Sequence, residues 1–146
     1  MSDFLRQQPT LTLRLAMQAL QAALAKAEEE RVHISIVVVD TGGHPIHSAH
    51  MDMAARPSRE IALKKALTAV GFGISTLDWQ ARLEKCSEGV RQGLPLQRDM
   101  AFFGGGEPFV FNSQVIGAIG VSGASETIDG HCANAAVERV RVLLGH

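Results

Sequence analysis

The hydrophobic positions near the N-terminus recur at the spacing of a helix. Leu13, Met17, Leu20 and Leu24 lie three or four residues apart, and alanine fills much of the space between them. This period places them on one face of an α-helix, and alanine has the highest helix propensity. The pattern therefore predicts one long amphipathic helix, with Thr10 as its N-cap residue.

Two later stretches are rich in β-branched residues, and each belongs to a hairpin. The segment HISIVVVD, from His33 to Asp40, predicts a strand that is buried at its centre. Thr41–Gly43 is a turn, after which HPIHSAHMD predicts the returning strand. Further on, PFVF and QVIGAIGVSG flank the polar pair Asn112-Ser113, which predicts a second hairpin.

Three more helices are predicted between and after the hairpins. The first begins near Ser58, carries a stripe of small residues, and ends at Gly71 and Gly73. A shorter helix, STLDWQARLEKCSEGV, has Ser75 or Thr76 as its cap, and the next stretch, RQGLPLQRDM, is expected to be a mobile loop. The last helix is TIDGHCANAAVERVRVLLG, whose apolar residues follow helical spacing.

The order of these elements predicts the fold class. Hairpins that alternate with helices indicate an antiparallel sheet covered by helices, which is an α+β architecture. The chain has 146 residues, a usual length for one domain, and we expect residues 1–146 to form a single domain.

Composition and charge narrow the classes of function. The 14 basic and 15 acidic residues give a net charge of −1, so a nucleic-acid partner is not expected. No apolar run reaches the length of a membrane span, and the N-terminus lacks a secretory pattern. Cys86 and Cys132 form no metal-binding pair or disulfide framework. We expect a cytoplasmic protein that binds a small molecule, with no membrane association and no metal-ion site.

The segment from Ala101 to Gly123 carries six glycines among β-forming residues. It lacks the lysine and the following helix of a phosphate-binding loop. Gly117 and Gly120 lie within a predicted strand, where a missing side chain lets a helix or a ligand approach the backbone. Gly123 precedes the last helix, so amides near Ser122 and Gly123 are candidates for holding an anion or a ligand oxygen.

Three histidines follow one another at every third position in the second strand. Because strand side chains alternate, His44 and His50 share one face and His47 lies on the other. This alternation excludes a three-histidine zinc site within the strand. The histidines are either solvated edge residues, or one of them pairs with a distant ligand such as His131 or Cys132 or acts as a haem axial ligand.

Several charged or reactive residues have both a structural and a functional interpretation. Asp52 is either a helix cap or a general base. Lys65 lies on the apolar stripe of its helix and either extends its ammonium to solvent or meets a carboxylate or propionate. His131 and Cys132 lie near a helix N-terminus but project about 100° apart, so they do not readily form a dyad, and Cys132 is interpreted as a core residue.

The chain resembles a known family in three stretches. These are SIVVVDTGGHPIHSAHMDMAARPSREIALKKALTA, FFGGGEPFVFNSQVIGAIGVSGAS and DGHCANAA. Their motifs and order are similar to those of the GlcG/HbpS family, also described as haem-degrading or PduO C-terminal-like. The resemblance runs from about His33 to the C-terminus.

This resemblance implies a profilin-like fold with a five-stranded antiparallel sheet flanked by helices. It also implies homo-oligomers, the binding of haem or a corrinoid in some members, and genes in catabolic operons. Two departures stand out. Asn112-Ser113 replaces the Asp-Gly that is common at the hairpin turn, and His131 stands where a small or acidic residue is expected.

Two functions follow as hypotheses. In the first, the chain binds haem or a related tetrapyrrole in an apolar cleft near the sheet edge or a subunit interface. Lys65 or Arg56 then meets the propionates, His50 or His131 reaches the iron, and Ser122 and Gly123 complete the cofactor site.

In the second hypothesis, the chain is an enzyme that transfers protons on a small oxo-acid or an aromatic-catabolic intermediate. Asp52 or His131 is the base, Lys65 or Arg56 holds the carboxylate, and amides near Ser122–Gly123 stabilise developing charge. Both hypotheses place Asp52 and Lys65 on one shared hollow. A structural or chaperone-like accessory subunit is a third hypothesis.

Overall fold

The two hairpins join into one antiparallel sheet. A computed structural model describes residues 2–145 of the chain, and the sheet within them has the order β2-β1-β4-β3. Its strands are β1 (Ser35–Asp40), β2 (Pro45–His50), β3 (Gly106–Phe111) and β4 (Gln114–Ser122). The two central strands, β1 and β4, pair directly and antiparallel. The predicted α+β class with an antiparallel sheet flanked by helices is therefore confirmed.

The expected strand number is wrong: the sheet within residues 2–145 has four strands and not five. The segment that separates the two hairpins is helical. It contains α2 (Ser58–Phe72), α3 (Trp79–Glu84) and α4 (Glu88–Gly93), with single 3₁₀ turns at Thr76–Asp78 and Leu94–Leu96. Since these residues satisfy their backbone hydrogen bonds locally, they add no strand to the sheet. The profilin-like comparison stays a prediction.

Two helices pack together on one face of the sheet. These are α1 (Leu13–Glu29) and α5 (Glu126–Leu144). Their contact is made by small residues that are completely buried, namely Ala16, Ala19, Ala23, Cys132, Ala133 and Ala136. Small side chains let the helix axes approach closely while both helices still cover the strands. The core interpretation of Cys132 is confirmed, because none of its surface is exposed.

The first helix begins two residues later than expected. Thr12 is its N-cap and accepts a hydrogen bond from the Leu15 amide at 3.2 Å. The predicted cap, Thr10, instead accepts from the Thr41 amide at 3.1 Å. Thr10 thus ties the N-terminal segment to the first hairpin turn.

The opposite face of the sheet is covered by α2. This helix packs on β1, β4 and β3 through Ala62, Ala66 and Ala69. The edge strand β2 lies beyond its reach, so the face of β2 on this side remains open along the helix. One of the clefts described below lies on this open strip.

Glycine explains how α2 comes so close to β4. A Cβ atom at Gly120 would lie 1.8 Å from the carbonyl oxygen of Ala62 and 2.7 Å from the amide nitrogen of Ala66. No side chain fits in that space. The close approach predicted for Gly120 is between a strand and a helix.

The stretch expected to be a mobile loop is mostly ordered secondary structure. Residues 91–93 finish α4, and Leu94–Leu96 form a 3₁₀ turn. The predicted helix before it is divided into α3 and α4, and Ser75 caps its first turn by accepting from the Leu77 amide. None of the helices within residues 2–145 is long and apolar enough to cross a bilayer.

Candidate functional site

Three polar residues, His50, Ser35 and Ser122, form a row across the end of the sheet nearest the start of α2, which we call the polar row. Ser35 on β1 lies opposite His50 on β2 and opposite Ser122 on β4. The hydroxyl oxygen of Ser58, the first residue of α2, lies 2.9 Å from that of Ser35. The Ser35 hydroxyl also contacts Nδ1 of His50. Ser35 is 1% exposed and Ser58 is 3% exposed, so these bonds are protected from water.

His50 lies at the junction of two clefts along the open strand. The first, which we call the edge-strand cleft, has a volume of about 480 Å³. It is lined by Leu24, His33, His50, Met51, Asp52 and Met53. It combines two imidazoles, two thioethers and one carboxylate with apolar side chains.

The second cleft, which we call the Arg59 groove, has a volume of about 250 Å³ and lies between β2 and the start of α2. Its polar residues are Ser35, Ser48, His50 and Arg59. His50 and Ala49 line both clefts. An imidazole therefore stands between an apolar cleft and a groove that carries a guanidinium.

A third cleft, of about 300 Å³, lies on the other side of the polar row. We call it the Lys65 cleft, and it is lined by Pro57, Ser58, Lys65, Phe103, Ser122 and Gly123, together with Asp129. Three of the predicted site residues, Lys65, Ser122 and Gly123, thus line one cleft, and their role in binding stays a prediction. Ser58 borders this cleft and also contacts the row that leads to His50.

Lys65 does not extend its ammonium to solvent. Its residue surface is 1% exposed, and Nζ donates to the carbonyl oxygen of Val121 at 2.8 Å and to Oδ2 of Asp129 at 3.1 Å. Nζ also lies 4.9 Å from the centroid of the Phe103 ring. The carboxylate that Lys65 meets is that of Asp129 in the same chain, and a contact with the carboxylate or propionate of a ligand stays a prediction.

Burial weakens ionisation on both sides of this ion pair. It lowers the pKa of Lys65, while the negative charge of Asp129 opposes that shift. It raises the pKa of Asp129, while Lys65 and the backbone amides of Ala124 and Gly123 favour the carboxylate. The two charges therefore depend on each other, because neither is solvated.

The amides near Gly123 are directed at the protein. The Ala124 amide donates to Oδ1 of Asp129 at 2.9 Å, and the Gly123 amide also bonds this carboxylate. Gly123 has a φ of +136°, and a Cβ atom there would lie 2.5 Å from the His33 carbonyl oxygen. Because these amides already donate to the Asp129 carboxylate, they are not available to the anion or ligand oxygen that the sequence predicted.

Other predicted residues lie apart from Lys65. Asp52 lines the edge-strand cleft, and the Lys65 cleft is on the other side of the polar row. Arg56 is exposed in a separate hollow with Pro57 and Glu60, and Pro57 also borders the Lys65 cleft. His131 lies on the exposed surface of α5. Asp52 and Lys65 therefore do not share one hollow within a single chain, and the proton-transfer hypothesis stays a prediction that needs residues from different clefts.

The other histidines of the first hairpin have different surroundings. His47 pairs with Val38 and so lies on the opposite face from His50, as the alternation predicted. His44 bonds Asp40, whose carboxylate also accepts from the amides of Gly42 and His44. Burial disfavours the charge of Asp40, but these hydrogen bonds outweigh it and lower the pKa of the carboxyl. Asp40 is a turn-stabilising residue.

Two features of the site were missed by sequence reasoning. Arg59 carries no distinguishing signal in the sequence, since it is one arginine in the first turn of a helix. Ser35 was passed over although it is the one polar residue within the apolar run ISIVVV. A serine within a buried apolar run is the signal that points to a polar partner, because buried hydroxyls are hydrogen-bonded.

The described residues, 2–145, contain no group of three or more His, Cys, Asp or Glu side chains that could hold a metal ion by themselves. One or two protein ligands suffice when a macrocycle supplies the other positions around a metal. The donors near His50 fit that situation.

Comparison with known proteins identifies the family. Residues 11–138 match the family model described as "Haem degrading protein HbpS-like". The chain belongs to the HbpS-like family. The resemblance to the GlcG/HbpS family seen in the sequence motifs is thereby confirmed.

Relatives of this HbpS-like chain include proteins with solved structures. It is 36% identical over 129 residues to an uncharacterized 15.0 kDa protein encoded in the dhaT-dhaS intergenic region of Citrobacter freundii, covering 88% of this chain and 91% of that protein. A double mutant of HbpS from Streptomyces reticuli matches with a TM-score of 0.86 and 31% identity, covering 100% of this chain and 94% of that one. The PduOC–heme complex matches with a TM-score of 0.79 and 29% identity, covering 89% of this chain and 94% of that one.

Proposed function

We propose that this protein binds haem or a related tetrapyrrole in the edge-strand cleft, with His50 as an iron ligand. The observation that carries the proposal is the position of His50 between an apolar cleft and a groove with a guanidinium. A tetrapyrrole needs an apolar wall, a ligand for its metal and a cation for its carboxylates. Membership of the HbpS-like family and the likeness to the PduOC–heme complex support the same class of ligand.

The donors fit this group chemically. Imidazole and thioether are common axial ligands of haem iron, and the cleft holds His33, Met51 and Met53 as well as His50. The volume of about 480 Å³ falls within the range of small-molecule sites. Leu24 and Ala49 supply apolar surface. Bound haem supplies redox and ligand-binding chemistry at its iron, and the protein supplies its position and its surroundings.

The basic side chains near the cleft differ in whether they are already bonded within the protein or line a hollow that a ligand carboxylate could enter. Arg59 lines the groove beside His50, and Arg56 is exposed at the start of the same helix. Lys65 is committed to Asp129 and Val121. We therefore assign the propionates to Arg59, with Arg56 as the second cation, and give Lys65 a structural part.

The test is a titration with hemin, followed by the Soret band in absorption. We expect the band to shift at micromolar protein for the wild type. The His50→Ala variant should bind about tenfold or more weakly, because an iron ligand is lost. His44→Ala is the matched control, since His44 lies at the turn and bonds Asp40, and it should titrate like the wild type.

Parallel variants identify which donor is used. If His33→Ala or His131→Ala loses the Soret shift and His50→Ala keeps it, the assignment of His50 is wrong. Absence of a Soret shift for the wild type contradicts the proposed function as a whole. Homo-oligomerisation stays a prediction, and light scattering during the same preparation measures it.

A further inference from the structure

A chain of hydrogen bonds runs from the start of α2 to the His50 ring. The Ser58 hydroxyl donates to the carbonyl oxygen of Ala55, and its oxygen lies 2.9 Å from that of Ser35. The Ser35 hydroxyl in turn contacts Nδ1 of His50. Both serines are almost completely buried. Water therefore does not compete for these hydroxyl groups.

The direction of every hydrogen bond in this chain follows from the atom at its end, the carbonyl oxygen of Ala55. A carbonyl oxygen only accepts, so the single proton of Ser58 is used on Ala55. The Ser58 oxygen must then accept from Ser35, which uses the single proton of Ser35. The Ser35 oxygen is left as an acceptor, so Nδ1 of His50 must carry a proton and donate it.

We infer that Ser35 and Ser58 are positioning residues that hold neutral His50 in the Nδ1–H tautomer. This tautomer leaves the lone pair of Nε2 uncommitted, and within residues 2–145 no hydrogen bond to Nε2 is formed. A metal-binding histidine commonly donates its other ring N–H in this way. The inference rests on the proposed function for the ligand, the haem iron, but the tautomer is a property of the protein alone.

Removing each serine has a different consequence for the ring. In Ser58→Ala, the Ser35 hydroxyl loses its acceptor and can donate to Nδ1, which moves the ring proton to Nε2. In Ser35→Ala, the ring has no partner and both tautomers are populated. The Ala55 carbonyl stays satisfied in Ser58→Ala, because it also accepts from the Ser58 amide at 3.0 Å.

The direct test is nitrogen NMR of the histidine rings in the full chain without haem. Spectra are recorded at alkaline pH, where each ring carries one proton, and His50→Ala assigns the signal. We expect the wild type to show a protonated Nδ1 and an unprotonated Nε2, and Ser58→Ala to show the reverse. Ser48→Ala is the control on the same strand, since Ser48 lines the Arg59 groove outside this chain of bonds, and it should match the wild type.

A wild-type ring with its proton on Nε2 would overturn the inference, and so would a tautomer that is unchanged in both Ser35→Ala and Ser58→Ala. The wild-type spectrum needs neither serine variant, so it tests the tautomer even where Ser35→Ala or Ser58→Ala fails to fold. A hemin titration of Ser58→Ala adds a second measurement, in which affinity should fall about tenfold or more.

The two measurements separate the inference from the proposed function. If the NMR result is as expected and hemin binds neither protein, haem binding is wrong and the positioning by serine stands. If hemin binds through His50 but its proton is on Nε2 in the protein without haem, the positioning is wrong and the proposed function stands.

Discussion

Lys65 shows how one buried side chain links three elements. It comes from α2, donates to the backbone of β4, and pairs with Asp129 near the start of α5. The residue is 1% exposed, and its ammonium lies 4.9 Å from the centroid of the Phe103 ring. A charge in such a place is tolerated only with its partner present.

We expect Lys65→Met to lower the free energy of unfolding by about 3–5 kcal/mol, because it leaves the Asp129 carboxylate buried without a counterion. Urea denaturation measures this change. Lys64→Met, one residue away and partly exposed, should stay within about 0.5 kcal/mol of the wild type.

The double variant Lys65→Met/Asp129→Asn checks the cause. It should be less destabilised than the sum of the single changes, with a coupling energy of about 1–3 kcal/mol. Strict additivity of the two single variants would show that the ion pair does not determine the loss.

The two cysteines differ in how deeply they are buried. Burial raises the pKa of Cys132 to about 11, with a smaller contribution from the negative charge of Asp129. Cys86 is half-buried at the end of α3 and is free. Thiolate is the reactive form, so Cys132 is protected at neutral pH by both its protonation and its lack of access.

A thiol reagent at pH 8 should therefore label one cysteine per native chain quickly and both in denaturant. Cys86→Ser should remove the fast phase and leave a slow phase limited by opening of the protein. A fast phase that persists in Cys86→Ser would show that Cys132 is accessible.

At the scale of elements, the glycines of β4 decide how closely the sheet is covered. Gly120 faces the backbone of α2, where even one methyl group would meet the Ala62 carbonyl oxygen. Alanines at 62, 66 and 69 continue this close packing along the helix. Overpacking at such a point moves the helix, because neither backbone can yield separately.

Gly120→Ala should therefore lower the free energy of unfolding by about 1–3 kcal/mol or more. The matched control is Gly71→Ala in α2, where an added Cβ would meet nothing within 4 Å. That change should raise stability by about 0.5–1 kcal/mol, because alanine favours the helix. A Gly120→Ala variant as stable as the wild type would contradict the close contact between β4 and α2.

For the whole molecule, the unequal covering of the sheet leaves space for a groove beside the edge strand β2. Two helices cover one face, and one helix covers three of the four described strands on the other. The open face of β2 gives the space that the Arg59 groove occupies, whereas the edge-strand cleft lies at the end of β2 beside Leu24 of α1, and the Lys65 cleft lies across the polar row. Ligand binding at an edge strand should stabilise the native state by mass action, since the unfolded chain has no cleft.

At a free hemin concentration near 100 times its dissociation constant, stabilisation of about 2.7 kcal/mol is expected. For a chain of this length, that corresponds to a rise in Tm of about 5–10 °C. Scanning calorimetry should show the rise in the wild type and in His44→Ala, and a much smaller rise in His50→Ala. An equal rise in all three would place the ligand away from His50.

The periodicity of the chain determined much of the architecture by itself. The runs that form β1 and β4, the alanine-rich helices and the two hairpin turns follow from local patterns, because side-chain alternation and helix spacing reflect which face is buried. At Asn112-Ser113 both residues have positive φ, 50° and 63°, as a two-residue hairpin turn requires. The family motifs led to the class of ligand that we propose, but they overstated the number of strands.

The composition of the clefts was decided by tertiary structure. Sequence reasoning put Asp52 with Lys65, because both belong to the motif, yet the polar row separates their clefts. It did not join His50 to Ser35 and Ser58, which are 15 and 8 residues away in the sequence, because strand register and helix docking bring them together. Local patterns record what each residue buries, whereas the partners of a buried polar group depend on which distant backbone folds against it.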